Sequence, residues 1–311
     1  MNLKDDYTSQ ILKLKADYEG DVTAVLIASN ANTGNRKSIL YLHGYVDYFF
    51  HPHLGKRCNQ ANYDFYALDL RKHGRSLMPH QHPNYCKTIE EYFEEISIAI
   101  RQIKKESTSV YLLAHSTGGL TASCYMNSGK ERALVEGLIL NSPFLDFYKS
   151  KLDRALSIFA AKSIAKVSNY AKIEGALSPV YAESIHKDYF GEWDFNLAWK
   201  PIEGFPTYFK WVAAIARAQK SLAHSNISVP VLIMHSSGSV KLSKYSKEAM
   251  SHDIVLNVED IKRVGKTLGN KVTLMQIDNA VHDVFLSPKA VREDAFNKLF
   301  TWLGNLDSKN L

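Results

Sequence analysis

Apolar residues follow two rhythms along this chain. Short continuous apolar runs occupy residues 22–28, 38–43, 65–69, 110–113, 134–141, 229–235 and 271–277. Runs of this length, rich in Val, Ile, Leu and Tyr and bounded by turn residues, predict strands covered on both faces. Between them the spacing switches to that of a helix. Ile89, Phe93, Ile96, Ile100 and Ile103 recur on one helical face over 88–105. Thr88 and Glu91 open that helix as a capping box, each side chain satisfying a free backbone N–H of the first turn. Further helices are predicted at 119–126, 258–268 and 290–303, and a turn at 29–35. Strands alternating with helices predict an α/β chain with a mostly parallel sheet and helices on both faces.

The alternation stops after Ser142-Pro143. Residues 144–226 carry mostly helical pattern, at 155–170 and 207–222, around an aromatic-rich connection holding Trp193, Phe195 and Trp199. The expected organisation is a core built from 1–143 and 227–311, interrupted by a helical cap at 144–226.

Composition narrows the picture. The 311 residues suffice for a large core with an insertion, and 45% hydrophobic with 23% charged residues fits a folded globular chain. A net charge of +6 without any dense Lys/Arg block argues against a nucleic-acid partner. Cys58, Cys86 and Cys124 suit neither a disulfide framework nor a metal knuckle and read as reduced intracellular thiols. The charged start, Met1 to Tyr7, has no apolar segment of the signal-peptide kind, and no run approaches the ~18 apolar residues of a membrane span. These features predict a soluble cytoplasmic protein with no stable membrane insertion. His51–His53 and His80–His82 lack acidic or cysteine partners at ligand spacing, so neither a metal nor another cofactor is expected.

The candidate chemistry centres on Val110-Tyr-Leu-Leu-Ala-His-Ser-Thr-Gly-Gly119. An apolar run stops abruptly at Ser116, small residues stand two before and two after it, and a helical pattern follows. Strand, sharp turn and helix with serine at the apex form the pattern of a nucleophile elbow, which pushes Oγ clear of the sheet. The same segment would also serve as a plain strand-to-helix link, so its companions decide. Nucleophilic serine needs a base, and the base needs an acid to fix its tautomer. In a parallel sheet both belong on loops at the C-terminal ends of strands. Of the twelve histidines, His282, just after the last strand, is the one so placed. His43 and His115 flank the serine, and their expected roles are to order the loop and to support the elbow.

With the order Ser, Asp, His, the chain resembles the α/β-hydrolases. His43-Gly44-Tyr45 resembles their His-Gly-x segment, and Asp69-Leu-Arg-Lys-His-Gly-Arg-Ser76 is similar to the Asp-x-Arg-Gly-His-Gly-x-Ser stretch of lipase and esterase members, with Lys72 replacing the usual Gly. Ala114 likewise stands where the elbow usually has Gly. Cap length and motifs look most like the monoglyceride lipase and lysophospholipase branch, which borders the serine aminopeptidase-like hydrolases. The resemblance spans about residues 20–304. It implies an oxyanion hole made by the backbone N–H groups of Tyr45 and Thr117, and an acid after the penultimate core strand. Asp253, followed by two β-branched residues, is the first choice; Asp146 and Asp260 are its rivals.

The implied function is a serine carboxylester hydrolase acting through an acyl-enzyme on Ser116, with Asp253 and His282 completing the triad. Small esters, including lipid-like monoacylglycerols or lysophospholipids, are the expected substrates. Phe159, Trp193, Trp199, Phe209 and Trp211 of the cap are candidates to line an acyl site. Amide or peptide cleavage of the serine aminopeptidase type stays open, with Glu174, Glu183, Asp188, Glu192 and Asp194 available for a free amine. So do acyl transfer to an acceptor other than water and a non-catalytic ligand-binding member of the fold.

Overall fold

The computed structural model describes residues 7–31, 34, 36–148 and 150–308. Residues 1–6 of the charged start, and 32, 33 and 35 of the turn expected at 29–35, lie outside the described residues. The strands are β1 (Thr8–Lys13), β2 (Thr23–Ser29), β3 (Lys37–Leu42), β4 (Asp64–Asp69), β5 (Ser109–His115), β6 (Gly137–Asn141), the short pair β7 (Lys172–Ile173) and β8 (Thr207–Tyr208), β9 (Val231–Ser236) and β10 (Val272–Ile277). The helices are α1 (Pro52–Gln60), α2 (Phe93–Lys104), α3 (Thr117–Ser128), α4 (Lys151–Val167), α5 (Val180–Ile185), α6 (Phe209–Ser221), α7 (Val258–Gly265) and α8 (Lys289–Asp307).

Eight strands form one sheet in the order β1-β2-β4-β3-β5-β6-β9-β10. From β4 to β10 neighbours run parallel; β1 and β2 are antiparallel additions at one edge. The continuous apolar runs resolve into two opposite faces. In β5, Val110, Leu112 and Ala114 join one buried cluster with Ile96 of α2 and Leu120 of α3, while Tyr111 and Leu113 join the other with Leu54 of α1 and Phe296 of α8. β3, β6 and β9 divide in the same way, because alternate side chains of a strand point to opposite faces.

Three elements carried no apolar signal. β1 is a polar edge strand whose only buried residue is Leu12; it is held by backbone pairing to β2. α1 begins at Pro52, where a missing N–H costs nothing, and buries only Leu54, Gly55 and Cys58. α5 is too short to establish a period. The capping box forms, with Glu91 accepting from Thr88 N–H at 3.1 Å, and opens a turn of 3₁₀-helix before α2. All three cysteines are free and buried. Between β6 and β9 the chain leaves the sheet to make α4, α5, α6 and the β7–β8 pair. No helix among the described residues is long and apolar enough to cross a membrane.

Candidate active site

Ser116 stands where β5 ends and α3 begins, with φ +52° and ψ −118°. L-residues rarely occupy that region, so the surroundings must hold it there. Ser116 N–H donates to the Asn141 carbonyl at 3.0 Å, and the Ser116 carbonyl accepts from the N–H groups of Gly119 and Phe144, each at 2.9 Å. Close approach explains the small neighbour: a Cβ on Gly118 would stand 2.8 Å from the Leu42 carbonyl and would collide with that of His43.

His282 lies on the loop after β10. That loop is pinned just before it: Ser236 Oγ donates to the Ala280 carbonyl at 2.6 Å, and Val281 N–H donates across the loop to Ser287 Oγ at 3.0 Å. The ring's Nε2 is 3.0 Å from Ser116 Oγ and its Nδ1 is 2.9 Å from Asp253 Oδ2. Asp253 is completely buried, and its Oδ1 accepts from the N–H groups of Val255 at 2.9 Å and Leu256 at 2.8 Å. After β9 the chain makes a long excursion and returns, Asp253 N–H donating to the Gly238 carbonyl at 3.0 Å. A carboxylate far along the sequence thus comes back beside the strand end. The rivals are engaged elsewhere. Asp146 pairs with Arg154 and with Arg263 at 2.6 Å, and Asp260, in the first turn of α7, pairs with Arg263 at 2.7 Å.

Thr117 occupies the first position of α3, where a helix leaves N–H groups without an internal acceptor. Neither its N–H nor that of Tyr45 enters a backbone hydrogen bond among the described residues. Gly44 brings the Tyr45 segment alongside, since a Cβ there would be 3.1 Å from Ser116 Cβ.

The surrounding histidines are framework. His43 Nε2 accepts from Leu70 N–H at 3.0 Å and its Nδ1 lies 2.9 Å from the Gly44 carbonyl, which ties the Gly44–Tyr45 loop to β4. His115 sits with its Nδ1 3.1 Å from the Asn141 carbonyl; burial pushes its pKa down to about 4, so the ring is neutral. His73 is also buried, and burial together with the neighbouring His43 pushes its pKa down to about 3. Asp69 accepts from Phe49 N–H at 2.9 Å and pairs with Arg75 at 2.7 Å, while Arg71 pairs with buried Glu95 at 2.7 Å. Lys72 takes φ +62°, the conformation that favours glycine, yet its fully buried ammonium lies 2.7 Å from Asp17 and 2.6 Å from Glu19. It anchors the β1–β2 connection to the core.

Sequence reasoning passed over two buried carboxylates here. Asp283, next to His282, accepts from Asn141 Nδ2 at 2.6 Å and from Phe285 N–H at 3.0 Å. Burial works against its ionisation, but His115, His51 and the Asn141 bond outweigh it and hold the pKa below the usual range. Asp47 accepts from Lys200 Nζ at 2.9 Å, and both side chains are buried. Burial again opposes the charge, and Lys200 leads the groups that bring the pKa down to about 2. Asp47 lies two positions beyond Tyr45, a weak signal; nothing marks Lys200.

A cavity of about 660 Å³ opens onto Gly44, Tyr45, Ser116, Thr117 and His282. Its far walls are apolar and come largely from the excursion between β6 and β9, including Phe144, Ile158, Leu177 and Ile202. Of the aromatics expected to line a site, Phe209 and Trp211 do. Phe159, Trp193 and Trp199 do not. Phe159 is 72% exposed; Trp193 stacks on His53 and donates to the Leu286 carbonyl at 2.8 Å; Trp199 packs edge-on against Tyr48.

Known proteins resemble this chain in sequence and fold. The family model described as serine aminopeptidase, S33, matches residues 33–289. A soluble variant of monoglyceride lipase from Saccharomyces cerevisiae, solved in complex with a substrate analog, superimposes with a TM-score of 0.71 at 16% identity, covering 96% of this chain and 95% of that one. The monoacylglycerol lipase of Paleococcus ferrophilus gives 0.64 at 19% identity, covering 96% and 99%. Both likenesses are of fold, and the fold is that of the α/β-hydrolases. Phospholipase YtpA of Bacillus subtilis is 26% identical over 141 residues, 45% of this chain. The matched stretch spans 52% of that phospholipase, about half its length.

Proposed function

This chain belongs to the serine aminopeptidase, S33, family of hydrolases, and on that premise we propose that it is a serine carboxylester hydrolase for lipid-like monoesters. One observation carries the reading: a Ser116–His282–Asp253 hydrogen-bonded chain opens into a deep apolar cavity. The volume, about 660 Å³, falls within the roughly 300–1,000 Å³ of small-molecule sites. Residues 144–226 act as the cap that supplies its apolar walls. The outward face of α4, with Leu152, Leu156 and Phe159 exposed, is consistent with substrates held in lipid.

In the reaction, Ser116 Oγ attacks the ester carbonyl carbon while its proton passes to His282 Nε2. Asp253 holds the Nδ1 proton and stabilises the imidazolium that forms. The carbonyl oxygen becomes an alkoxide, which the N–H groups of Tyr45 and Thr117 stabilise; one such donor is worth about 3–4 kcal/mol. The tetrahedral intermediate collapses, the C–O bond to the alcohol breaks, and His282 gives that oxygen its proton. Water then attacks the acyl-enzyme, losing a proton to the same histidine, and the fatty acid leaves as Ser116 is regenerated.

Monoacylglycerols and lysophospholipids are the substrate class, by the chemistry of the cavity and by the named activities of the fold relatives and of the Bacillus subtilis phospholipase. The family description names an aminopeptidase, but none of Glu174, Glu183, Asp188, Glu192 and Asp194 lines the cavity. The carboxylate that does, Asp47, is neutralised by Lys200.

The test is labelling by a fluorophosphonate probe, with Ser116→Ala as control, followed by nitrophenyl esters of increasing chain length, a monoacylglycerol, a lysophospholipid and an aminoacyl arylamide. Wild type should label, Ser116→Ala should not, and turnover should favour medium and long acyl chains. A sharp preference for acetate would refute the acyl pocket; near-wild-type turnover by Ser116→Ala would refute the mechanism.

A further inference from the structure

We propose that Lys200 is a positioning residue, reaching from the excursion between β6 and β9 to hold the loop Tyr45-Val46-Asp47 in the conformation that presents the Tyr45 N–H to the alkoxide. This deepens the ester-hydrolase reading and rests on it.

The strained point of this loop is Val46. Its φ is +49°, an uncommon conformation for a β-branched residue, which survives only where surrounding contacts over-determine it. The residue before it is Tyr45, the proposed oxyanion donor, so relaxation at Val46 would turn the Tyr45–Val46 peptide and, through the Tyr45 backbone, shift the donor N–H off its aim. The contacts that hold the loop are few. Val46 N–H donates to Asn84 Oδ1 at 3.2 Å. On the other side a single ammonium reaches two acceptors: Lys200 Nζ lies 3.3 Å from the Val46 carbonyl and 2.9 Å from Asp47 Oδ1.

Lys200 has little freedom to let go. Its side chain is 8% exposed and its Nζ sits 5.6 Å from the ring centres of both Phe50 and Phe195. The segment that carries it is seated on the same loop: Asn196 N–H donates to Tyr48 Oη at 2.7 Å, Trp199 packs edge-on against Tyr48, and Phe195 packs against Phe50. Tyr45 itself stacks on Trp211 of α6 with ring centres 4.0 Å apart. The oxyanion loop is therefore gripped from the excursion through several side chains, and the ammonium is the contact that acts on the Val46 carbonyl. It has a second effect, since it neutralises a carboxylate that would otherwise oppose negative charge developing nearby.

The experiment compares Lys200→Met with wild type for kcat, KM and affinity for an alkyl trifluoromethyl ketone, which adds to a serine hydroxyl to give an alkoxide. A misaimed donor should lower kcat about a hundredfold, weaken the ketone by a similar factor and leave KM within about threefold. Val46→Gly/Lys200→Met should recover about tenfold of that loss, because glycine adopts positive φ without strain. Lys200→Met/Asp47→Leu, which removes both charges, should recover only the part of the loss that the unpaired carboxylate causes and leave kcat at least about tenfold below wild type. If Lys200→Met fails to fold, Lys200→Gln, tested alone and with Val46→Gly, carries the same comparison. Unchanged kcat in Lys200→Met, a loss confined to KM, or full rescue by Asp47→Leu would overturn the positioning role. Wild-type labelling at Ser116 with ester turnover shows the parent reading to be sound in any of these cases; failure of that labelling sinks the parent reading instead.

Discussion

Asp253→Asn is a sharper probe of the proposed triad than deletion of the side chain, because the structure dictates which way the amide would face. The native carboxylate uses Oδ1 to accept two backbone N–H bonds, from Val255 at 2.9 Å and Leu256 at 2.8 Å, and leaves Oδ2 for His282 Nδ1. An asparagine can keep both backbone bonds only by placing its oxygen there and turning its NH₂ towards Nδ1. The imidazole must then accept at Nδ1 and carry its proton on Nε2, where it can no longer take one from Ser116. Flipping the amide would aim NH₂ at two N–H donors in a completely buried site. Forfeiting two buried hydrogen bonds costs about 3 kcal/mol in all, so the competent tautomer becomes roughly a hundredfold rarer. Loss of the negative charge opposite the imidazolium adds about another ten- to hundredfold. Together kcat should fall about 10³–10⁴-fold, or about 4–5 kcal/mol in barrier. The assay is steady-state hydrolysis of a nitrophenyl ester, with thermal melting to verify the fold, and Asp146→Asn in parallel should cost little. Turnover by Asp253→Asn within tenfold of wild type would refute the assignment of the acid.

Other consequences can be measured directly. His115 and His73 stay neutral in the fold down to about pH 4 and about pH 3, whereas an unfolded chain protonates them near 6.5. Below pH 6.5 the unfolded state thus binds more protons, and stability falls with pH; at pH 5 each histidine should cost about 2 kcal/mol, and urea midpoints unchanged from pH 7 to pH 5 would contradict this. Lys72→Met leaves Asp17 and Glu19 facing one another in a buried site and should destabilise by about 3 kcal/mol or more, read from urea unfolding; a loss below 1 kcal/mol would show the pair to be dispensable. Gly118→Ala forces a methyl against the Leu42 and His43 carbonyls, so a soluble variant with wild-type melting temperature and turnover would mean the elbow relaxes more easily than its packing implies.

How much could be read beforehand depended on where each element's stabilisation comes from. β3, β5, β6 and β9 were legible because a strand covered on both faces must be apolar at nearly every position. β1 was not, because backbone pairing along an edge asks little of its side chains. The capping box at Thr88 and Glu91 was legible because it is local. At the site, Ser116 announced itself through small neighbours that a tight turn requires, and His282 through its place after the last strand. Asp253 was harder, since a lengthened loop separates it from the strand end beside which it returns. The aromatics of the excursion were read only as a group. Composition cannot say that Trp211 lines a cavity while Trp193 stacks on His53.

The order of apolar runs by itself determined that this chain builds a covered parallel sheet with a long break after residue 143, and that a serine stands at a sharp turn beside it. Only the tertiary structure decided which carboxylate meets which partner: Asp253 with His282, Asp146 with two arginines, Asp47 with Lys200. Burial patterns repeat with a local period and so leave a trace in sequence. A hydrogen bond between distant side chains has no period, and its partners meet only when the folded backbone carries them there.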